Sequence, residues 1–332
     1  MVVITGCCVL RRWFLTVHYF VHLLLFRQCS WYRVSCNDNG QVTHIQLDSN
    51  RLTGSLPPEL AILKDSLQEI DLYNNLIHNY GDEGNHWLGE LTNIKKLFYG
   101  RTYFEYDGIP TVIGNLANLE EYDCSYTLYH GPLRGEAFAN TNNLVYLYIG
   151  GNAFNTTIPS QLAQLPKLKY MYGEYADIKG DLSFIADMPE IKEIWMDRNP
   201  MITGTIPTEI GLASNLKSLS VTECGLTGTL PTELASLRLQ QLWFYSNQLS
   251  GEIPSELGQV ESLTRLGLEN NTMVGTMPQE ICDNRSPMGL LGKLEADCQD
   301  GGSVQCDCCT CCGPDCVGGA SAGSRRLFFE TN

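Results

Sequence analysis

The sequence lacks the short motifs that mark most enzyme active sites. It contains no GxSxG, GxGxxG, HExxH or P-loop segment, and it has only six histidines. Four of them, His44, His78, His86 and His130, lie outside the apolar N-terminal stretch, and none comes with a nucleophile or a paired metal ligand. The sequence therefore predicts a protein that is not an enzyme, with no catalytic residue, no cofactor and no metal site.

The chain also lacks an apolar run long enough to cross a bilayer, which takes about 20 residues. The candidate Trp13–Phe26 has 14 residues and is interrupted by His18 and His22. Such a run is typical of the h-region of a signal peptide, although no small-residue cleavage site follows it. We interpret residues 1–28 as a signal peptide or signal anchor, with a misassigned leader as the alternative, and residues 317–332 as a flexible tail.

Positive charge is scarce, because 22 lysines and arginines face 37 aspartates and glutamates, for a net charge of −15 at pH 7. An acidic body repels nucleic acid and anionic lipid, so neither is a predicted partner. The predicted partners are an extracellular protein, a peptide or a neutral glycan. Contact with a membrane would come only through an N-terminal anchor or through a partner protein.

What the chain has in abundance is a repeated pattern of apolar residues and asparagine, LxxLxLxxN. Its ten copies are 23 to 27 residues apart and begin at Val42, Leu67, Ile94, Leu119, Leu144, Leu168, Ile191, Leu216, Leu239 and Leu263. This is the period of leucine-rich repeats, whose units bury their apolar sides against their neighbours. We predict an α/β-type solenoid over residues 42–281, a leucine-rich-repeat superhelix with a parallel β-sheet on its concave face.

Asparagine ends most copies of the pattern, where the chain turns off the strand. An amide side chain can both donate and accept hydrogen bonds, which suits the backbone groups of such a turn. The position is held by Asn50, Asn75, Asn152, Asn199, Asn247 and Asn271, by the smaller Thr102, Thr127 and Cys224, and by Ala176 as a departure. We expect this residue to satisfy the backbone of the turn.

The second half of the unit carries a Gly-x-(Leu/Ile/Met)-Pro segment, as in Gly204–Pro207. The glycine permits a φ that the return path needs, and the proline stops the strand. Asn247–Leu263, NQLSGEIPSELGQVESL, resembles the plant-type extracellular leucine-rich-repeat consensus, and Cys29–Cys36, CSWYRVSC, resembles the N-terminal cap of that family. The resemblance implies a receptor-like, secreted or cell-surface protein, with residues 29–41 as its N-terminal cap.

Twelve of the 14 cysteines lie outside the repeats, near the two ends of the chain. With the cap resemblance, we predict a disulfide between Cys29 and Cys36. The predicted C-terminal cap, residues 282–316, contains Cys282, Cys298, Cys306, Cys308, Cys309, Cys311, Cys312 and Cys316, whose pairing the sequence leaves open. No histidine lies nearby and the vicinal cysteine pairs do not suit tetrahedral zinc, so we predict disulfides here. Cys124 and Cys224 are expected to be unpaired, buried thiols.

The central variable position of each repeat points outward on its strand, and stacked strands bring these positions side by side. Aromatic residues are frequent there. The predicted ligand-binding residues are Phe98, Tyr146, Tyr148, Tyr170, Tyr172, Trp195, Trp243 and Tyr245, with Asp71 and Asp123 as polar ends of the stripe. Aromatic residues also favour strands for structural reasons, but a row of water-facing rings is typical of a recognition surface.

Two surface features accompany the repeats. Asn155 and Asn270 begin Asn-x-Thr sequons and are predicted glycosylation sites, whereas the sequon at Asn284 is followed by a proline. The insertion HNYGDEGNHW at residues 78–87 is interpreted as a surface loop, with a lid over the edge of the concave face as the alternative.

These patterns together predict a secreted or cell-surface recognition module without a kinase. It would bind a protein, a peptide or a neutral glycan through its concave face. Two alternatives stay open. One is an inhibitor of a secreted glycoside hydrolase, similar to the polygalacturonase-inhibiting repeat proteins. The other is a structural wall or adhesion protein whose cysteine-rich end makes intermolecular bridges.

Overall fold

The computed structural model describes residues 28–80, 86–298 and 302–313, and the chain divides into two compact units. The first unit runs to residue 155 and includes residues 159–167, and the second contains residues 156–158 and the chain from residue 168 onward. The predicted leader up to residue 27, Cys316 and the predicted tail lie outside the described residues. No helix among the described residues is long and apolar enough to cross a membrane.

The first unit is built on a ladder of short strands, one from each repeat. Its strands are β1 (Val34–Cys36), β2 (Val42–Gln46), β3 (Thr53–Gly54), β4 (Glu69–Asp71), β5 (Leu76–Tyr80), β6 (Lys96–Phe98), β7 (Tyr103–Glu105), β8 (Glu121–Asp123) and β9 (Tyr146–Tyr148). The main sheet has the order β1-β2-β4-β6-β8-β9 and is parallel from β2 onward. Strands β3, β5 and β7 form a second parallel sheet.

The second unit has the same construction. Its strands are β10 (Tyr170–Tyr172), β11 (Glu193–Trp195), β12 (Thr203–Thr205), β13 (Ser218–Ser220), β14 (Gly225–Gly228), β15 (Gln241–Trp243), β16 (Gln248–Gly251), β17 (Arg265–Gly267), β18 (Thr272–Met273), β19 (Gly275–Thr276), β20 (Lys293–Ala296), β21 (Val304–Gln305) and β22 (Cys311–Cys312). The main sheet has the order β10-β11-β13-β15-β17-β20-β22, all parallel. Strands β12, β14, β16 and β18 form a second sheet, and β19 pairs with β21.

The return segment of most repeats contains one short helical turn. Most of these turns are 3-10 helices, at Pro58–Leu63, His86–Glu90, Thr111–Asn115, Gly135–Phe138, Ser183–Asp187, Thr208–Leu212, Thr232–Ser236 and Ser255–Gln259; two are α-helical, α1 (Ser160–Ala163) and α2 (Gln279–Asp283). A further 3-10 turn, Gln28–Ser30, precedes β1. Before the helical turn at Thr208, Gly204 has a φ of +85° and Pro207 is extended, as the Gly-x-x-Pro segment predicts.

The main sheet of the second unit continues beyond residue 281, the predicted end of the repeats. Strands β20 and β22 extend the ladder, with Gly267 paired to Glu295 and Glu295 paired to Cys311. Leu291 and Leu294 are buried like the first two apolar residues of a repeat. The predicted cap therefore contains an eleventh repeat strand, which the pattern search missed because the third apolar position is an alanine and no asparagine follows.

Disulfides occur near both ends of the described chain. The predicted bond between Cys29 and Cys36 is confirmed. In the C-terminal cap, bonds join Cys282 to Cys308, Cys298 to Cys312 and Cys306 to Cys309, and Cys311 is disulfide-bonded as well. Cys124 and Cys224 are free thiols, as predicted, although Cys224 is only half-buried.

The insertion at residues 78–87 contains regular structure at both of its ends. Its first residues belong to β5, where His78 pairs with Tyr103. Its last residues begin the helical turn at His86, whose Trp87 is 4% exposed. The prediction of a plain surface loop is therefore wrong for these ends, because the insertion extends a strand and buries an indole. Residues 81–85 lie outside the described part of the chain.

The asparagine at the end of the pattern connects neighbouring repeats. Asn199 Oδ1 accepts hydrogen bonds from the backbone N–H groups of Ala176 and Ile178 at 3.1 and 2.9 Å. Its Nδ2 donates to the carbonyl oxygens of Gly173 and Met196 at 2.8 and 2.9 Å. Corresponding bonds to the backbone of the preceding repeat are made by Asn75, Asn152, Asn247 and Asn271. The expectation of a satisfied turn is confirmed, and the same amide also stitches one repeat to the one before it.

The residue immediately before this position has a left-handed backbone in all ten predicted repeats. These residues are Ser49, Asn74, Arg101, Tyr126, Gly151, Tyr175, Arg198, Glu223, Ser246 and Asn270, with φ between 51° and 68°. Nine are not glycine, and such a conformation costs a residue with a side chain about 1–2 kcal/mol. The hydrogen bonds of the following asparagine, or of its substitutes, offset this cost by holding the turn.

We expect Asn199→Ala to lower the free energy of unfolding by about 2–4 kcal/mol, because several buried backbone groups lose their partner. Chemical denaturation of the variant and the wild type measures the difference. Asn215→Ala is the matched control, since Asn215 is exposed and donates one bond to the carbonyl of Pro189 at 3.0 Å. Equal losses in the two variants would contradict the stitching role of Asn199.

Cys224 occupies the asparagine position with a thiol that makes weaker bonds. Its Sγ donates to the carbonyl oxygens of Met196 and Thr222 at 3.4 and 3.3 Å, and burial raises the pKa of the thiol to about 12, so it stays protonated. We expect Cys224→Asn to stabilise the protein by about 0.5–2 kcal/mol, because an amide also supplies an acceptor. Thermal unfolding tests this against Cys224→Ala, and an Asn variant no more stable than the Ala variant would refute it.

Candidate ligand-binding face

The side of each main sheet that points away from the core presents three residues per repeat. In the repeat of β11 they are Glu193, Trp195 and Asp197. The register aligns the middle residues of neighbouring repeats, as Trp195 with Ser220 and Ser220 with Trp243. We call this surface the sheet face of each unit. The predicted alignment of the central positions is confirmed within each unit.

The aromatic residues of the sheet face are packed more tightly than the sequence predicts. Those that are nearly inaccessible are Phe98, Tyr148, Tyr172, Trp243 and Tyr245, each between 2% and 5% exposed, while Tyr146, Tyr170 and Trp195 are half-buried. Strands only about 4.8 Å apart force large side chains of adjacent repeats to cover one another. The expectation of a row of water-facing rings is therefore wrong for the five nearly inaccessible aromatic residues.

In the first unit, the two aspartates predicted as polar ends of the stripe bind their own backbone. Asp71 Oδ1 accepts a hydrogen bond from the N–H of Tyr73 at 3.0 Å. Asp123 Oδ1 accepts bonds from the N–H and the hydroxyl of Ser125 at 2.9 and 2.6 Å. Both aspartates are buried, so they stabilise the end of the strand. That they also contact a ligand stays a prediction.

In the second unit, Tyr172 and Trp195 form one aromatic pair of the face. Their ring centroids lie 5.5 Å apart in an edge-to-face arrangement. Tyr172 donates its hydroxyl to Glu193 Oε2 at 3.0 Å, and Trp195 Nε1 donates to Ser218 Oγ at 3.3 Å. Burial raises the pKa of Glu193, although the bond from Tyr172 opposes this. The pair has fixed ring orientations, which is what a pre-organised binding surface requires.

Beside this pair lies the buried carboxylate of Asp197. Its Oδ1 accepts the hydroxyl of Ser220 at 2.7 Å and the N–H of Thr222 at 2.8 Å. Burial raises the pKa of this carboxyl above its usual value, even though both hydrogen bonds favour the charged form. At the edge of the face, Arg198 bonds Glu223 at 2.7 Å and lies 4.8 Å from the ring centre of Tyr175.

The second aromatic pair consists of Trp243 and Tyr245, with ring centroids 6.3 Å apart. Trp243 lies against Gly267 on the next strand, where a Cβ atom would come within 3.0 Å of the indole. Two cations cover the same indole, Arg265 at 5.9 Å and Lys293 at 5.2 Å from the ring centre. The ring is therefore engaged by charged, flexible side chains and offers no open face to solvent.

Two glutamates next to this indole are almost completely buried. Glu269 is 1% exposed and neither of its carboxylate oxygens has a hydrogen-bond partner. Glu295 is 2% exposed, and its Oε1 accepts an ion pair from Lys293 Nζ at 3.0 Å while its Oε2 has no hydrogen-bond partner. Burial, followed by repulsion from Glu295, raises the pKa of Glu269 to about 7. Buried carboxylates without donors are rare and costly, which marks this end of the face as a site.

The sequence analysis missed Arg265, Glu269, Lys293 and Glu295. Arg265 and Glu269 lie in the tenth predicted repeat on either side of Gly267, and a search for aromatic residues passes over them. Lys293 and Glu295 belong to the eleventh strand, so they could be placed on the face only by recognising Leu291 and Leu294 as the start of another repeat.

The two predicted glycosylation sites have exposed side chains. Asn155 and Asn270 both have left-handed backbones, and Asn270 Nδ2 donates to Ser246 Oγ at 2.9 Å. Their modification stays a prediction. At the C-terminal cap, the sulfur atoms of Cys298, Cys306 and Cys309 lie within 4.8 Å of one another, but all three are held in disulfides.

Comparison with known proteins identifies related chains. The sequence profile described as Leucine Rich Repeat matches residues 143–165, 215–237 and 238–260. Receptor-like protein kinase 7 of Arabidopsis thaliana is 29% identical over 157 residues, which cover 46% of this chain and 16% of the kinase. This chain thus matches only a small part of that relative.

Solved structures agree with the sequence relatives. The crystal structure of a TDR receptor superposes with a TM-score of 0.68 at 28% identity, covering 73% of this chain and 41% of the receptor. The plant peptide hormone receptor RGFR1, in complex with RGF2, superposes with a TM-score of 0.66 at 24% identity, covering 84% of this chain and 49% of the receptor. The second likeness concerns the fold alone.

The raised pKa of Glu269 predicts a stability that depends on pH. Between its ordinary pKa of 4.5 and about 7, the folded state holds a proton that the unfolded state has released, so the free energy of unfolding falls as the pH rises through this window. Glu269→Gln cannot titrate. We therefore expect the variant to gain stability relative to the wild type, on the order of 3 kcal/mol from pH 4.5 to pH 7.5.

Urea denaturation at several pH values measures this difference. Glu261→Gln is the matched control, because Glu261 is exposed and does not belong to the sheet face. Its stability should follow the wild-type profile throughout. Parallel profiles for Glu269→Gln and the wild type would show that Glu269 titrates normally.

Proposed function

We propose that this chain, a leucine-rich-repeat protein with repeats of the plant extracellular type, is a recognition module. It binds a peptide or an extended segment of a protein without catalysing a reaction. The binding surface is the sheet face of the second unit, between residues 170 and 297. The observation that carries this proposal is the combination of two aromatic pairs with buried carboxylates that each have at least one oxygen without a hydrogen-bond partner.

The chemistry of the face favours a peptide over a glycan. A sugar stacks on an open aromatic face, whereas the indole of Trp243 is covered by Arg265 and Lys293. A peptide offers N–H groups and charged side chains that can pair with carboxylates such as Asp197 and Glu269. The net charge of −15 also makes an anionic partner unfavourable.

The related proteins support the same proposal. The TDR receptor and the plant peptide hormone receptor RGFR1 share this fold, and the RGFR1 structure contains the bound RGF2. We propose that this chain also works outside the cell or at its surface, because its cap cysteines are joined in disulfides, which persist in oxidising compartments. Matching only part of each receptor, this chain would supply the recognition step of such a protein.

A display library of random linear dodecapeptides, selected against the full chain, tests the proposal. We expect Trp195→Ala to weaken the selected binders by about 2–4 kcal/mol, because an aromatic anchor of the face is lost. Trp243→Phe serves as a second variant that keeps the packing of a buried ring. Biolayer interferometry on purified proteins gives the dissociation constants.

Tyr32→Ala is the matched control, because Tyr32 is an aromatic residue of the N-terminal cap and is 74% exposed. Its binding should equal that of the wild type. Peptides that bind Trp195→Ala and Trp243→Phe as tightly as the wild type would overturn the proposal that the sheet face of the second unit is the binding surface.

A further inference from the structure

The carboxylate of Glu269 is the most unusual polar group of the second unit. It is 1% exposed, and neither oxygen receives a hydrogen bond. The loss of hydration on burial raises the pKa of this carboxyl and outweighs its own backbone N–H and the charge of Lys293, which lower it. The other buried acids of the sheet face behave differently, since Asp197 accepts two hydrogen bonds and Glu295 accepts an ion pair.

This carboxylate points back over the strand that carries it. Glu269 Oε2 lies 3.5 Å from the position that a Cβ atom would take on Gly267, and the rings of Trp243 and Tyr245 lie 3.0 and 3.6 Å from the same position. Because position 267 has no side chain, the carboxylate and the two rings converge there. Glu295 stands beside Gly267 on the next strand. A Cβ atom at Gly267 would crowd the indole, so the two rings and the carboxylate close over the glycine. We call this packed anionic and aromatic site the recess.

The protein keeps one of its own ammonium groups at the mouth of this recess. Lys293 Nζ lies 3.0 Å from Glu295 Oε1 and 5.2 Å from the ring centre of Trp243. The side chain of Lys293 is 31% exposed, so water reaches it while the two glutamates and the indole stay covered. A lysine has a long, flexible stem and can change rotamer, provided that an incoming cation takes over its ion pair with the buried Glu295. The recess is thus closed by a movable side chain and not by backbone.

We propose that the recess formed by Trp243, Tyr245, Glu269 and Glu295 binds a basic group of the ligand, a lysine or arginine side chain or an N-terminal ammonium, which enters by displacing Lys293. This inference rests on the proposed function and specifies the chemistry of its ligand. The incoming cation contacts the indole, as Lys293 does now, and donates hydrogen bonds to the unpartnered oxygens of Glu269 and Glu295.

The geometry favours an organic cation over a metal ion. Among the described residues, the one group of three or more potential metal ligands whose atoms all lie within 4.8 Å of one another consists of cysteines, so this recess does not gather three ligand residues around one point. A lysine or arginine head bridges wider gaps, because it carries three to five donors on an extended group. An aromatic wall next to carboxylates likewise suits an alkylammonium or a guanidinium.

The test uses dodecapeptides selected by display against the full chain, in buffer with about 150 mM salt to suppress non-specific attraction. We expect the selected sequences to share a lysine or arginine at a fixed position. Glu269→Gln, which keeps the shape of the side chain, should weaken such a peptide at least tenfold. The same loss should follow when the shared basic residue of the peptide is replaced by norleucine.

A double-mutant cycle separates contact from general electrostatics. If the basic residue binds Glu269, the norleucine peptide and Glu269→Gln together should lose little more binding than either substitution loses alone. Glu261→Gln is the matched control, since it removes the same charge at an exposed position and should leave binding within twofold. Additive losses in the cycle would overturn the proposal.

Displacement of Lys293 makes a prediction of the opposite sign. Lys293→Met should tighten the basic peptide about threefold to tenfold, because the internal competitor is removed, whereas Lys64→Met, at an exposed lysine of the first unit, should have no effect. Weaker binding by Lys293→Met would refute displacement. Binders that need Trp195 and Trp243 but tolerate Glu269→Gln would refute the basic ligand and leave the proposed function standing. Binders that need neither tryptophan would refute the proposed function itself.

Discussion

The structure depends on the asparagine that ends the repeat pattern, because its side chain makes hydrogen bonds to the backbone of two repeats. A unit of about two dozen residues cannot form a core alone, so its strand must be held in register with the next one. Asn199 does this with one amide that serves four backbone groups of its own and the preceding repeat. The left-handed residue before it, Arg198, shows that the fold accepts local backbone strain in order to keep this connection.

This constraint also determines what the sheet face can be. Strands fixed at the spacing of a parallel sheet bring each outward side chain close to the outward side chains of the neighbouring strands. On the second unit the neighbours are rings, carboxylates and the cations that partly neutralise them. Tyr172 and Trp243 become buried because each is covered by residues of adjacent strands. Glu269 is buried near Glu295 of the neighbouring strand, and this burial raises its pKa to about 7. The face therefore contains buried charged groups, whereas the core below it consists mainly of apolar side chains.

The sequence predicted the parts of this molecule that a local repeat determines. The strands, the asparagine position, the Cys29–Cys36 bond and the alignment of the central positions follow from a period and from residue types, and all are confirmed. Burial on the sheet face could not be predicted in the same way, because outward direction does not imply exposure when neighbouring side chains are large. The recess at Gly267 could not be predicted for another reason. It requires the strand of Glu295, whose repeat has Ala296 where the pattern has leucine and Gln299 where the pattern has asparagine.

Regular strand spacing has a consequence for any chain that lies along the face. Trp195 and Trp243 belong to strands separated by one other strand, β13, so the two rows are about 9.6 Å apart at a spacing of about 4.8 Å. A polyproline II helix advances about 9.3 Å in three residues and returns to the same side in that distance. A ligand in this left-handed, hydrogen-bond-free conformation presents every third side chain to every second strand without bending. The gain or loss of one repeat would therefore shift the ligand side chains out of alignment with the strands that they contact.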